Sequence, residues 1–187
     1  MTTATAPALT ELTGTYTLDP AHSRIGFVAR HAMVTKVRGA FNEFEGTATL
    51  DGANPANSSA QVTISTASID TRNAQRDGHL RSNDFLAMDE YPQITFVSTG
   101  ARQVDDSTFE LTGDLTIKGV TNSITIPFTF EGAAKDPFGN LRVGFEGAVT
   151  IDRKDYGITW NAALETGGVL VSDKVTLEFE LSLVKNA

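Results

Sequence analysis

Apolar and polar residues alternate along most of this chain with a period of two, the mark of strands with one buried face. In Arg24–His31 the residues Ile25, Phe27, Ala29 and His31 share a face. From Val37 to Leu50 the residues Val37, Gly39 and Phe41 stay in phase, then Phe44, Gly46, Ala48 and Leu50 continue after a slip. One extra residue near Asn42-Glu43 predicts a β-bulge there. Further runs cover Ala60–Ser68, Ile94–Val104, Phe109–Ile117, Ile124–Phe130, Leu141–Ile151 and Val175–Leu183. Tyr16–Leu18 is a short additional candidate, broken at Asp19-Pro20. Asp105–Ser107, Lys118-Gly119 and Asp136–Asn140 carry turn chemistry between runs, and Gly167-Gly168 marks a turn before the last one. Eight runs in succession predict an all-β fold, an eight-stranded antiparallel up-and-down barrel. The runs exceed the usual strand of about 5–6 residues, and a tilt near 40° makes the barrel roughly 25 Å tall.

One stretch breaks the pattern. Ser68–Phe96 brings together Arg72, Arg76, Asp77, His79, Arg81, Asp84 and Asp89. It predicts a short helical insert between the third and fourth strands, capped by Thr71 or Asn73 and running through Arg81. Gly78 costs such a helix about 1 kcal/mol relative to alanine. A second turn starts at Ser82 and ends before Tyr91-Pro92. In an up-and-down barrel alternate connections share an end. The insert, the His31–Lys36 loop, the Lys118-Gly119 turn and the long Asp152–Asp173 connection therefore meet, gathering His31, Arg72, Arg76, His79, Arg81, Arg153, Tyr156 and Trp160. The arrangement expected is a cavity with a lid at its mouth. The plainer alternative is that Arg76, Asp77, Arg81 and Asp84 pair with one another and hold the insert in place, with Arg153 meeting an insert carboxylate.

The phenylalanines sharpen this. Most sit in strand runs on the apolar face, beside the small residues Ala29, Gly39, Gly46, Ala48, Gly113 and Gly147. Large rings next to missing side chains leave elongated space, although glycine also serves barrel bends. The candidate cavity lining is Ile25, Phe27, Phe41, Phe44, Ile64, Phe96, Phe128, Phe130, Phe145, Val149 and Phe179. The candidate head-group contacts at the mouth are His31, Arg76, His79, Arg153 and Trp160.

Composition narrows the classes. At 187 residues one domain suffices, with residues 1–13 expected as a flexible tail and 14–187 as the barrel. A net charge of −8 argues against nucleic acid as a partner. The absence of cysteine excludes disulfides and thiolate chemistry. His22, His31 and His79 match no metal-ligand spacing, so no metal and no other cofactor is expected; His22 is expected to anchor its own turn. No serine-histidine-aspartate spacing or phosphate loop is present, so no catalytic residue is assigned and the chain is read as a non-enzyme. No apolar run is long enough for an integral membrane segment. The opening MTTATAPALTELTG has no basic stretch followed by an apolar one, which makes the cytoplasm the expected location.

Several motifs together resemble the YceI family of lipid-binding proteins: YTLDPAHSRIGFVARH at Tyr16–His31, RGAFNEFEG at Arg38–Gly46, ASIDTRNAQRDGHLRSNDFLAMDEYPQITFVST at Ala67–Thr99, GDLTIKGVT at Gly113–Thr121 and IDRKDYGI at Ile151–Ile158. The resemblance covers nearly the whole chain after the tail. It implies a lipocalin-like barrel that binds a polyisoprenoid or similar long-chain lipid, for storage, transport or sequestration, often as a homodimer. Relatives are often periplasmic and tied to isoprenoid-quinone transport. Two other readings stay open: an enzyme on a lipophilic substrate using His79, Asp77 or His31, and a solid-cored structural barrel that binds another protein.

Overall fold

Each alternating run needs a partner on both edges and a shared interior, and the chain satisfies both by closing on itself. The computed structural model describes residues 8–165 and 168–187. Its strands are β1 (Gly14–Leu18), β2 (Arg24–His31), β3 (Thr35–Phe41), β4 (Phe44–Leu50), β5 (Ser59–Ser65), β6 (Ile69–Asp70), β7 (Gln93–Gln103), β8 (Thr108–Ile117), β9 (Val120–Lys135), β10 (Leu141–Asp152) and β11 (Lys174–Lys185). All pairings are antiparallel.

Several of these are segments of one stave. β1 and β2 both pair with β11, β1 at Leu183–Lys185 and β2 at Thr176–Glu180. They form one bent strand interrupted at Asp19–Ser23, where Pro20 lacks a ladder donor. β3 and β4 make the next stave and β5 with β6 the third. The result is a closed eight-stranded antiparallel barrel, and Tyr16–Leu18 belongs to its first strand.

The single bulged strand expected over Val37–Leu50 is instead two strands. The ladder stops at Asn42-Glu43, whose backbone turns outward to the third stave: Asn42 N–H donates to Ser68 and Ser65 N–H donates to Glu43. Register shifts of the expected kind occur elsewhere, at Ser98/Gly100 and Gly144/Phe145.

The N-terminal expectation also changes. Residues 1–7 of the expected tail lie outside the described residues, as does Gly167 of the expected Gly167-Gly168 turn. Leu9–Leu12 forms a 3₁₀ turn, and Leu12 is 3% exposed. The Tyr16 hydroxyl donates to the Leu12 carbonyl at 2.7 Å. Leu12, Tyr16, Leu18, Ala48, Val143 and Leu183 form a compact cluster at that end of the barrel. The barrel domain therefore begins before residue 14, because two leucines three apart in a polar stretch find apolar partners.

The insert forms helix α1 (Ala74–Arg81), with the Asn73 side chain accepting from the Arg76 N–H as N-cap. No helix among the described residues is long and apolar enough to cross a membrane.

Candidate functional site

The interior is not solid. An apolar cavity of about 310 Å³ runs the length of the barrel, at the small end of ligand-site volumes. Leu9, Leu12, Leu50 and Pro55 line one end; Leu80, Phe85, Leu86, Tyr156 and Ile158 line the other. Ile25, Phe27, Phe41, Ile64, Phe96, Phe128, Phe130, Phe145 and Phe179 line it between. Phe44 and Val149 are not among the lining residues; they are partly buried and pack against the cluster that forms the wall.

The glycines explain why the bore stays open, in a different way from the simple gap expected. Gly39 lies opposite Phe27 in the ladder, and a Cβ there would come within 2.3 Å of that ring. Gly147 lies opposite Phe128, with 2.6 Å to the ring. Gly113 lies opposite Ser98, diagonal to Phe96, and a Cβ there would come within 2.4 Å of the Phe96 ring. Each ring lies flat over a glycine on the next strand, covering exposed backbone. Rings held against the wall leave the axis free.

The four connections expected at one end do meet there. His31 bridges to Val171, and Ala32 N–H donates to the Leu170 carbonyl. Lys118 reaches the carbonyls of Asn83 and Gly157, each at 3.4 Å. The insert crosses this end and turns Leu80, Phe85 and Leu86 into the bore. Trp160 and Phe85 both pack against the His79 ring, with centroids at 4.7 and 5.0 Å. The lid is therefore an aromatic cluster shared by the insert and the last long connection.

The charged residues of the insert fasten it, mostly to the chain that enters it. Asp77 is buried and accepts from both the N–H and the hydroxyl of Thr71. Arg76 donates to the Thr71 hydroxyl and carbonyl, each at 2.7 Å. Arg81 donates to the carbonyls of Ala67 and Ile69. Asp84 meets His79 at 2.9 Å. The expected pairing among Arg76, Asp77, Arg81 and Asp84 is replaced by bonds to the chain entering the insert, because that segment leaves its carbonyls without ladder partners.

Arg153 does not meet an insert carboxylate. It is 4% exposed and donates to the carbonyls of Ser172, Ile158, Trp160 and Val171. Among the described residues it makes an ion pair with Asp173, at 3.7 Å. Burial pushes its pKa below the ordinary value, with Asp173 and Asp152 opposing. The guanidinium staples the Asp152–Asp173 connection down. His31 is exposed on the outer part of this end. His22 meets Asp19 at 2.7 Å, anchoring its turn as expected.

One polar group in the cavity wall stands apart. Tyr156 is 1% exposed and its hydroxyl has no hydrogen-bond partner among the described residues. Burial raises its pKa, opposed by the Asn122 amide, which itself donates to the Asp155 carbonyl at 2.8 Å. Neither Tyr156 nor the lid residues Leu80, Phe85 and Leu86 stood among the candidate lining. The apolar Phe85-Leu86-Ala87 triplet inside a charged insert was the available signal. Among the described residues no group of three histidine, aspartate, glutamate or cysteine side chains is placed to hold a metal.

This geometry has close counterparts. The family profile described as the YceI-like domain matches residues 16–183. A UPF0312 protein of Staphylococcus aureus is 42% identical over 164 residues, covering 87% of this chain and 93% of that protein. The crystal structure of BcnA from Burkholderia cenocepacia superposes with a TM-score of 0.78 at 29% identity, covering 88% of this chain and 98% of that one. A polyisoprenoid-binding domain from Saccharophagus degradans, implicated in plant cell wall breakdown, shares the fold alone, with a TM-score of 0.69 at 16% identity over 91% of this chain and 98% of that one. With the profile spanning the barrel from its first strand to its last, this chain belongs to the YceI-like family.

Proposed function

We propose that the protein binds a long-chain lipid of the polyisoprenoid type along the barrel axis and carries or sequesters it. The observation that carries this reading is the continuous apolar bore, lined by aromatic and aliphatic side chains from the N-terminal turn to the lid. The name of the Saccharophagus degradans domain points to the same ligand class. Burying a CH₂ is worth about 0.8 kcal/mol, so one isoprene unit contributes at most roughly 4 kcal/mol. A few units exceed the roughly 8 kcal/mol of a micromolar complex even after ordering costs. Affinity thus comes from the tail.

The head group lies at the lid end. Arg76 and Arg153 have their donors committed to the protein's own chain, whereas the Tyr156 hydroxyl is free to donate. That favours an uncharged head with an oxygen acceptor over a phosphate. Among the described lining residues at the lid end, Arg153 stands near Tyr156 but has its donors committed to backbone carbonyls, so binding is preferred over turnover.

The test is native mass spectrometry of the purified protein, with organic extraction of what it carries. A bound lipid mass is expected, lost in Phe128→Asp and Phe145→Asp and retained with weaker affinity in Tyr156→Phe. Folded aspartate variants that still carry lipid would overturn the reading.

A further inference from the structure

The β2–β3 hairpin carries two adjacent apolar side chains at its tip. Met33 is 55% exposed and Val34 74%, and Val169 beside them is 36% exposed. A Cβ built on Gly168 would lie 3.5 Å from the Met33 side chain, so the two turns are neighbours. Both Ala32 and Met33 have positive φ, 51° and 66°. That conformation suits asparagine and glycine; alanine and methionine adopt it at a cost. The turn thus presents two apolar side chains to water from a backbone that a polar Asn-Gly pair would form more easily.

Below the tip the outer face of the hairpin is positive. No acidic residue occurs between Arg24 and Asn42, in a chain of net charge −8. The register sets Arg30 directly opposite Lys36, and Arg38 opposite Val28 on the same face. Like charges directly opposite destabilise a ladder. Arg30, Lys36 and Arg38 are exposed and make no ion pair among the described residues. Two neighbouring carboxylates are engaged elsewhere: Glu178 with Arg24, and Asp70 with Asn42 and the Arg72 N–H.

We propose that this hairpin tip docks the protein on an anionic bilayer surface, Met33 and Val34 entering the interface while Arg30, Lys36 and Arg38 meet the lipid head groups. Charge complementarity selects this occupant: an apolar apex above an unpaired basic row matches an acyl layer beneath an anionic one. Screening makes the local row, not the distant acidic surface, the charge that the membrane meets. The site stands at the lid end, tied to the lid connection through Ala32–Leu170 and Arg30–Ser172 backbone bonds. Docking there turns the mouth of the bore toward the membrane, so a greasy tail passes between bilayer and bore without crossing water. The purpose, though not the surface itself, rests on the lipid-carrier reading above.

The experiment is sedimentation of the full chain with vesicles of phosphatidylglycerol and phosphatidylcholine in equal parts, against vesicles of phosphatidylcholine alone. Binding is expected only to the anionic vesicles, and is expected to vanish in about 1 M salt, where the Debye length is about 3 Å. At about fivefold per cation, the triple change Arg30→Gln, Lys36→Gln and Arg38→Gln weakens it about a hundredfold. The pair Met33→Ser and Val34→Ser also weakens it, with thermal melts confirming the fold. Failure of the unaltered protein to bind anionic vesicles overturns the proposal, as does binding that neither variant set changes. So does a dimer in analytical ultracentrifugation that Met33→Ser and Val34→Ser dissociate while vesicle binding persists, for then the tip is an interface between two copies. Native mass spectrometry of the same samples separates the two readings: no lipid in the bore with intact vesicle binding sinks the carrier function alone.

Discussion

Single residues decide whether this barrel is hollow. Gly39, Gly113 and Gly147 take no side chain so that Phe27, Phe96 and Phe128 can lie against the wall. A Gly39→Val change places methyl groups where the Phe27 ring now rests and drives that ring into the bore. The expected result is a loss of about 1–3 kcal/mol in urea unfolding together with displacement of bound lipid in native mass spectrometry. Unchanged lipid content would show that the ring swings outward instead. Arg153 is the other residue on which the site depends. Arg153→Met strips donors from four carbonyls of the lid connection and is expected to destabilise the protein by about 3–5 kcal/mol, read from denaturant curves. The phenylalanines and small residues were legible in the sequence as one alternating face. What each glycine does was not, because its partner ring sits on the neighbouring strand.

Among elements, the insert and the β9–β10 hairpin show two uses of aspartate. In the insert, buried Asp77 ties α1 to Thr71. Asp77→Asn keeps the shape and loses the charge-assisted bonds, so amide exchange in Ala74–Arg81 is expected to quicken about tenfold or more, with the barrel strands unaffected. In the hairpin, backbone donors led by the Asn140 N–H, with Arg142 adding, pull the Asp136 carboxyl down to about 2 from an ordinary 3.8. Its folded pKa lies below the unfolded one, so its stabilisation is full above about pH 4 and is lost as pH falls through about 2. Asp136→Asn is therefore expected to flatten the acid limb of the stability profile between those values while leaving the slope near neutrality unchanged. The helix and its Asn73 cap were legible, since cap and breaker chemistry is local. The Asx geometry at Asp136 was visible only as a turn, and its link through Arg142 to Asp19 joins residues far apart in the chain.

At the scale of the molecule, the barrel is a tube closed differently at its two ends. The insert and the Trp160 connection cover one end; Leu9 and Leu12 plug the other. Leu12→Ser is expected to cost about 3 kcal/mol and to speed lipid release, measured by transfer to acceptor vesicles, with the lid end intact. Release unchanged in a destabilised variant would place all traffic at the lid.

Alternation by itself determined the strands, the inward face, the antiparallel order and the end at which the special connections gather. These follow from a period of two and from chain order, both local properties. Motif order added the family. Only the tertiary structure decided that the second run breaks in two, that Leu9–Leu12 belongs to the core, that the arginines of the insert bind carbonyls rather than carboxylates, and that Tyr156 is left with a free hydroxyl. Each of these depends on which distant backbone groups lack partners, and hydrogen-bond satisfaction in a closed barrel is a property of the whole ring, with no counterpart in the spacing of residues along the chain.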